Sequence, residues 1–141
     1  MEWDPAASRP TRLNRLSSAP GFQKGVKTDA IVELVDLYPT LCELAGIEQP
    51  EHLAGKSMVP ILRDPRAPGK GAAFATWQKG GRFVVTRDYT YTEYQSGKQR
   101  MLYDHAKDPA ENVNVAEKPE YAETVDKLHA LLQKGCAGKD Q

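Results

Sequence analysis

The chain has 141 residues, 19 basic and 19 acidic side chains and 40% apolar content, enough for one ordinary domain or two small ones sharing a core. Zero formal net charge argues against a nucleic-acid or anionic-membrane binder, and the longest apolar runs, such as Ala72 to Ala75, are about four residues, too short to span a bilayer. Cys42 and Cys136 are too few and too far apart for a disulfide scaffold or a metal site, and no secretory leader is evident.

Residues 1–28 read as a solvated arm, with five basic against two acidic side chains and Pro5, Pro10 and Pro20 as punctuation. Its sharper reading, a basic arm gripping a phosphate or sulfate polymer, rests on charge alone. Residues 29–70 form the second piece. Apolar residues at 31, 34, 35, 37, 38, 41 and 44 suggest one long helix, but inside it the Pro39 ring would clash with the carbonyl of Val35. An extended run to about Leu34 followed by a helix over 36–46 avoids that clash. Asp36 is then the N-cap, Pro39 lies in the first turn and Gly46 is the left-handed terminator. Leu37, Leu41, Leu44 and Ala45 would face a core. Ser57 is placed to cap a short helix holding Pro60, Ile61 and Leu62, and the Pro- and Gly-rich stretch from Arg63 to Lys70 reads as a linker.

Residues 71–135 read as a sheet followed by a helix. Strands are expected over Ala72–Trp77, Arg82–Thr86, Tyr89–Tyr94 and Arg100–Tyr103, broken at Gly80-Gly81, Arg87-Asp88 and Gln95–Gln99. Tyr89 and Tyr91 share one face of the third strand; Thr90, Thr92 and Tyr94 share the other. Pro119 opens the last helix, where Tyr121, Val125, Leu128 and Leu132 form one apolar stripe at spacings of four, three and four. The expected unit is a four-stranded antiparallel sheet with one helix laid across it, an α+β arrangement as it stands. Residues 136–141 are a tail.

Catalytic motifs do not emerge from this chain. Ala54-Gly-Lys-Ser57 lacks the glycine that a phosphate-binding loop needs at position 50, which is Pro50. His105, in a turn, has no Ser or Cys placed to use it. The run Asp104, Asp108, Glu111, Glu117 and Glu120 lacks the glycine and terminal bidentate carboxylate of a calcium loop, so a solvated turn is the favoured reading. HExxH, GxSxG and CxxC are all missing.

Four segments nevertheless occur together in a suggestive order: Val32 to Gly46, Leu53 to Leu62, Thr86 to Tyr94, and Leu102 to Ala116 with the last helix. From about Pro20 to Gly135 the chain resembles the C-terminal part of sulfatases, relatives of alkaline phosphatase, and is most similar to bacterial iduronate-2-sulfatase-like enzymes. The resemblance implies an α/β parent fold, with residues 29–70 at the C-terminal edge of the catalytic domain and residues 71–135 as the small C-terminal subdomain. It implies hydrolysis of 2-O-sulfate esters on uronic acids of glycosaminoglycans. That chemistry uses a formylglycine made within a Cys/Ser-x-Pro-x-Arg pattern and a calcium held by carboxylates; an attacking diol oxygen needs the sulfate charge neutralised.

Neither cysteine sits in that pattern: Cys42 is followed by Glu-Leu-Ala-Gly and Cys136 by Ala-Gly-Lys-Asp. The formylglycine and calcium are therefore expected only in a catalytic domain that this chain does not contain, and the chain is expected to be inactive alone. Asn14 to Ser18 stands where the family has an apolar strand, so the first eighteen or so residues look foreign and point to a truncated frame. Trp77, Lys79 and Arg82 are the candidate substrate-facing residues, a stacking face for a sugar and cations for its sulfate or carboxylate. The alternative is a non-catalytic module that docks on a separate catalytic chain or a sulfated glycan. Leu37, Leu41 and Leu44 then mark where a second copy or the catalytic half packs. Family members are usually periplasmic or secreted.

Overall fold

The computed structural model describes residues 22, 27–77, 80–94 and 97–136. Most of the arm over 1–28 and nearly all of the tail over 136–141 lie outside them. The chain divides into two compact units between Lys70 and Gly71.

In the first unit Ile31 bridges Lys70 in antiparallel fashion, and a 3₁₀ turn at Leu34–Asp36 leads into α1, Leu37–Ala45. Pro39 occupies the first turn, where its missing N–H costs nothing, and Gly46 ends α1 at φ 68°, the left-handed conformation glycine adopts freely. Asp36 precedes α1, but its side chain makes no capping bond to that helix. It turns back to accept Glu33 N–H at 2.8 Å and reaches across to Lys56 N–H at 2.8 Å. The expected extended run stops short of Leu34 because this carboxylate winds the 3₁₀ turn.

The short helix α2 is Val59–Arg63, with Pro60 near its start. Ser57 accepts Val59 N–H at 3.2 Å, but Met58 holds the cap position. Pro39, Thr40 and Cys42 are the buried residues of α1, whereas Leu41, Leu44 and Ala45 are exposed and Leu37 is half-buried. The inward face is chosen by polar bonding. Thr40 Oγ1 donates to the Asp36 carbonyl at 2.5 Å and accepts Met58 N–H at 2.8 Å, which turns the leucines away. Gly55 lies against the Val35 carbonyl, where a Cβ would sit only 2.0 Å from the oxygen.

The second unit is a four-stranded antiparallel sheet in sequential order: β1 (Ala73–Trp77), β2 (Gly81–Val85), β3 (Tyr89–Tyr94) and β4 (Gln99–Asp104). The register aligns Phe74, Val84, Tyr91 and Leu102 in one row across the strands. After a 3₁₀ turn at Pro119–Tyr121, α3 runs over Ala122–Cys136. Tyr121, Val125, Leu128 and Leu132 are all buried, in one cluster with Val84, Tyr91, Leu102 and Val115. The stripe at helical spacing therefore meets the row at strand spacing, which joins a 3.6-residue to a 2-residue period. The sheet, the last helix and the α+β architecture are those read from the sequence, with strand limits moved by one residue.

Candidate functional site

Two residues along the strands from the apolar row lies a second row, Thr76, Arg82, Glu93 and Arg100. Strand alternation keeps it on the same face, so it also points toward α3. Glu93 is 0% exposed. Its Oε1 accepts Arg82 Nη2 at 2.6 Å; its Oε2 lies 2.7 Å from His129 Nδ1 and accepts the Tyr91 hydroxyl at 3.2 Å. Burial pushes the Glu93 carboxyl up, but the bonds and charges of His129 and Arg82 outweigh it and hold the group below the usual carboxylate range. Tyr91 is pushed up to about 12, first by burial and then by the Glu93 charge. The carboxylate is buried and bonded to three donors of its own, so it presents no exposed oxygen to a substrate. It pins α3 to β2 and β3.

A second cluster joins β3 to the turn after β4. Thr90 Oγ1 donates to Glu111 Oε1 at 2.7 Å, and His105 Nε2 lies 3.0 Å from both of these oxygens. His105 Nδ1 faces the Arg87 carbonyl at 3.0 Å. That is no nucleophile–base relay, because the carboxylate rather than the imidazole receives the hydroxyl proton bond. Glu111 holds φ 56°, a strained conformation for a residue with a Cβ, and its two side-chain bonds offset the strain.

Three members of the acidic run, Asp104, Asp108 and Glu111, are taken up by these and neighbouring bonds. Asp104 accepts the Tyr121 hydroxyl at 2.8 Å and the Ala106 N–H at 3.0 Å, and Asp108 accepts Val113 N–H at 2.7 Å. The Tyr121 bond first, then burial acting the other way and the turn amides, leave Asp104 below its ordinary range. Lys107 donates to the Tyr121 hydroxyl at 2.7 Å and lies over its ring at 4.9 Å. Among the described residues no three His, Cys, Asp or Glu side chains converge as metal ligands.

The first unit has its own buried acid. Asp36, 1% exposed, and Glu33 both pair with Lys70 Nζ, at 2.7 and 2.6 Å. Burial pulls the Lys70 ammonium down, but its bonds to Asp36 and Glu33 prevail and raise it.

The three residues singled out from the sequence do not form a described cluster. Trp77 ends β1 opposite Gly81, its side chain outside the described set; Lys79 is outside it altogether. Arg82 is described fully, and its guanidinium serves Glu93 and reaches Gln133 Oε1 at 3.3 Å. Glu93 and His129 escaped the sequence reading. The available signal was the position of Glu93, which alternation puts on the face of Tyr89 and Tyr91. Cys42, which packs into the first unit, is a free thiol with no Pro or Arg at formylglycine spacing, so these residues do not fit that group.

A family model described as N-sulphoglucosamine sulphohydrolase, C-terminal, matches residues 13–137. A sulfatase of Formosa agariphila is 32% identical over 98% of this chain and 26% of its own length. The Delta 4,5-hexuronate-2-O-sulfatase of Bacteroides thetaiotaomicron is 37% identical over 70% of this chain and 22% of its own length. A solved 2-O GAG sulfatase superposes with a TM-score of 0.64 at 36% identity, over 74% of this chain and 25% of that one. The chain thus spans about a quarter of the relatives it matches.

Proposed function

We propose a function from one premise: the chain belongs to the N-sulphoglucosamine sulphohydrolase C-terminal family, the C-terminal part of sulfatases. In our reading it serves a sulfuric ester hydrolase that removes 2-O-sulfate from uronic acids of glycosaminoglycans, and it does not hydrolyse the ester alone. The observation that carries the substrate class is the 37% identity to a hexuronate-2-O-sulfatase. The observation behind silence in isolation is chemical: the buried acids Asp36, Glu93 and Asp104 are each engaged by their own donors, and neither cysteine has the spacing of a formylglycine site. Calcium and formylglycine belong, in this proposal, to the three quarters of a sulfatase that the chain does not span. Trp77, Lys79 and Arg82 are the residues proposed to face the sugar, and Arg82 is also the cation that holds Glu93.

The test is a calcium-supplemented assay of the purified chain on a chromogenic sulfate ester and on an unsaturated 2-O-sulfated uronate disaccharide. No turnover above a heat-killed control is expected. Turnover by the chain alone overturns the proposal of silence. Once a catalytic body is supplied, preference for a 6-O-sulfated substrate overturns the substrate class.

A further inference from the structure

The loop that leaves β4 is fastened to the sheet by a set of contacts whose protons can be counted. His105 Nδ1 lies 3.0 Å from the Arg87 carbonyl, an oxygen that can only accept, so Nδ1 carries a proton. Nε2 lies 3.0 Å from Glu111 Oε1 and 3.0 Å from Thr90 Oγ1. The Thr90 hydroxyl commits its one proton to Glu111 at 2.7 Å, so its oxygen meets the ring with lone pairs. A neutral ring would set the Nε2 lone pair against both oxygens, whereas a proton on Nε2 satisfies both. Turning the Thr90 proton to Nε2 instead would leave Glu111 Oε1 with no proton from either neighbour.

The charges around the ring agree with that count. Arg87 and Asp88 stand on the hairpin between β2 and β3, Tyr94 on β3, Tyr103 and Asp104 on β4, and Lys107, Asp108 and Glu111 in the loop, four acids against two bases. Lys107 and Asp104 pair with each other and share the Tyr121 hydroxyl, and Glu111 is the acid bonded to the ring. Tyr103, the cross-strand partner of Thr90, is pushed up by burial first and then by the charges of Glu111 and Asp108.

The bond to the ring holds more than one side chain. Glu111 keeps φ 56°, a conformation that a residue with a Cβ leaves once its contacts go. Beyond it the chain returns along β4. Asn114 Oδ1 accepts Leu102 N–H at 2.9 Å, Asn114 Nδ2 donates to the Arg100 carbonyl at 3.1 Å, and Val115 N–H donates to the Leu102 carbonyl at 2.9 Å. The returning chain thereby occupies an edge of β4 that would otherwise invite strand pairing.

We propose that His105 is a proton-operated latch: with both ring nitrogens protonated it clamps Glu111 and the bend over 108–113, and loss of the Nε2 proton slackens that bend. The clamp needs the second ring proton, so it is complete in acid and is lost as pH rises. It belongs to the second unit and does not depend on the functional reading above.

The test is nitrogen NMR of the full chain labelled at histidine, with amide exchange followed at about pH 5.5 and about pH 8. Both values keep Glu93 ionised. At the lower one both His105 ring nitrogens should give protonated signals; at the upper one Nε2 alone should have lost its proton. The Glu111 and Val113 amides donate to the Asp108 carbonyl at 3.1 Å and to Asp108 Oδ2 at 2.7 Å. Their exchange should speed up about tenfold or more at the upper value, after correction for the intrinsic effect of pH. His105→Ala has no ring proton to lose and should show the faster corrected rate at both values. His129, bonded to Glu93, is intact in that variant, so a pH step that survives there belongs to another group and overturns the proposal. Equal corrected rates in the unaltered chain overturn it too, as does an Nε2 left unprotonated at the lower value, a result that needs no variant to fold.

Discussion

The unit over residues 71–136 and the unit over 27–70 solve the same problem in opposite ways. In the former, Val84, Tyr91 and Leu102 meet Val125, Leu128 and Leu132, and the one fully buried acid on that face, Glu93, is surrounded by three donors. In the latter, Asp36 and Thr40 organise the interior while the leucines of α1 face outward. A segment that closes its own apolar core carries most of its stability in local contacts. A segment knit by polar bonds, with its apolar side uncovered, draws less of its stability from apolar burial.

Substitutions break or sharpen that contrast, beginning with the largest expected effect. Leu132 is fully buried, so Leu132→Ala should cost about 2–5 kcal/mol and leave residues 27–70 with unchanged amide protection. Segment-resolved hydrogen exchange reads both halves at once; a loss of protection shared by the two units would erase the contrast. Asp36→Ala removes the acceptor of the Glu33 and Lys56 amides and a partner of Lys70, at about 1–3 kcal/mol. Its loss of protection should be confined to residues 27–70.

The acid limb gives a smaller signal. Glu93 titrates below its unfolded range once His129 and Arg82 outweigh burial. The stability it contributes is therefore complete above roughly pH 4.3, the unfolded value, and is lost as pH falls through the folded one. Glu93→Gln should flatten the acid denaturation profile of the second unit, a change seen in urea melts at stepped pH. The smallest effect belongs to Leu41→Ser, within about 0.5 kcal/mol for the isolated chain, because the side chain is already in water. A large loss there, read in the same urea melts, would mean that α1 is covered.

The difference between the units also explains what could be read in advance. Tyr121, Val125, Leu128 and Leu132 announce α3 because helical periodicity is local, and the Tyr89–Tyr94 alternation announces β3 for the same reason. Gly46 and Pro39 mark the ends of α1 through rules of backbone sterics. Asp36 looked like a helix cap because capping is the commonest local use of an aspartate there. Its actual partners, the Lys56 amide and the Lys70 ammonium, lie 20 and 34 positions away, and no local pattern encodes them. The same holds for Arg82. Its charge was legible as a candidate for sulfate, but its pairing with Glu93 depends on strand register and its bond to Gln133 on where α3 crosses. The orientation of α1 was read as leucines inward, and Thr40 reverses it through a bond to Met58 that amphipathic spacing does not register.

Gly135, in the last turn of α3, stands so close to Phe74 that a Cβ would fall 2.3–2.5 Å from its ring. The helix therefore comes to rest on β1 by having nothing to hold it off. One added methyl at that position acts as a wedge, forcing either the aromatic to swing or the helix end to lift. Lifting would loosen the outermost strand first, since among the described residues β1 has a strand neighbour on one side only. The tolerance of the sheet's rim is thus set at a helix terminus, some sixty residues further along the chain.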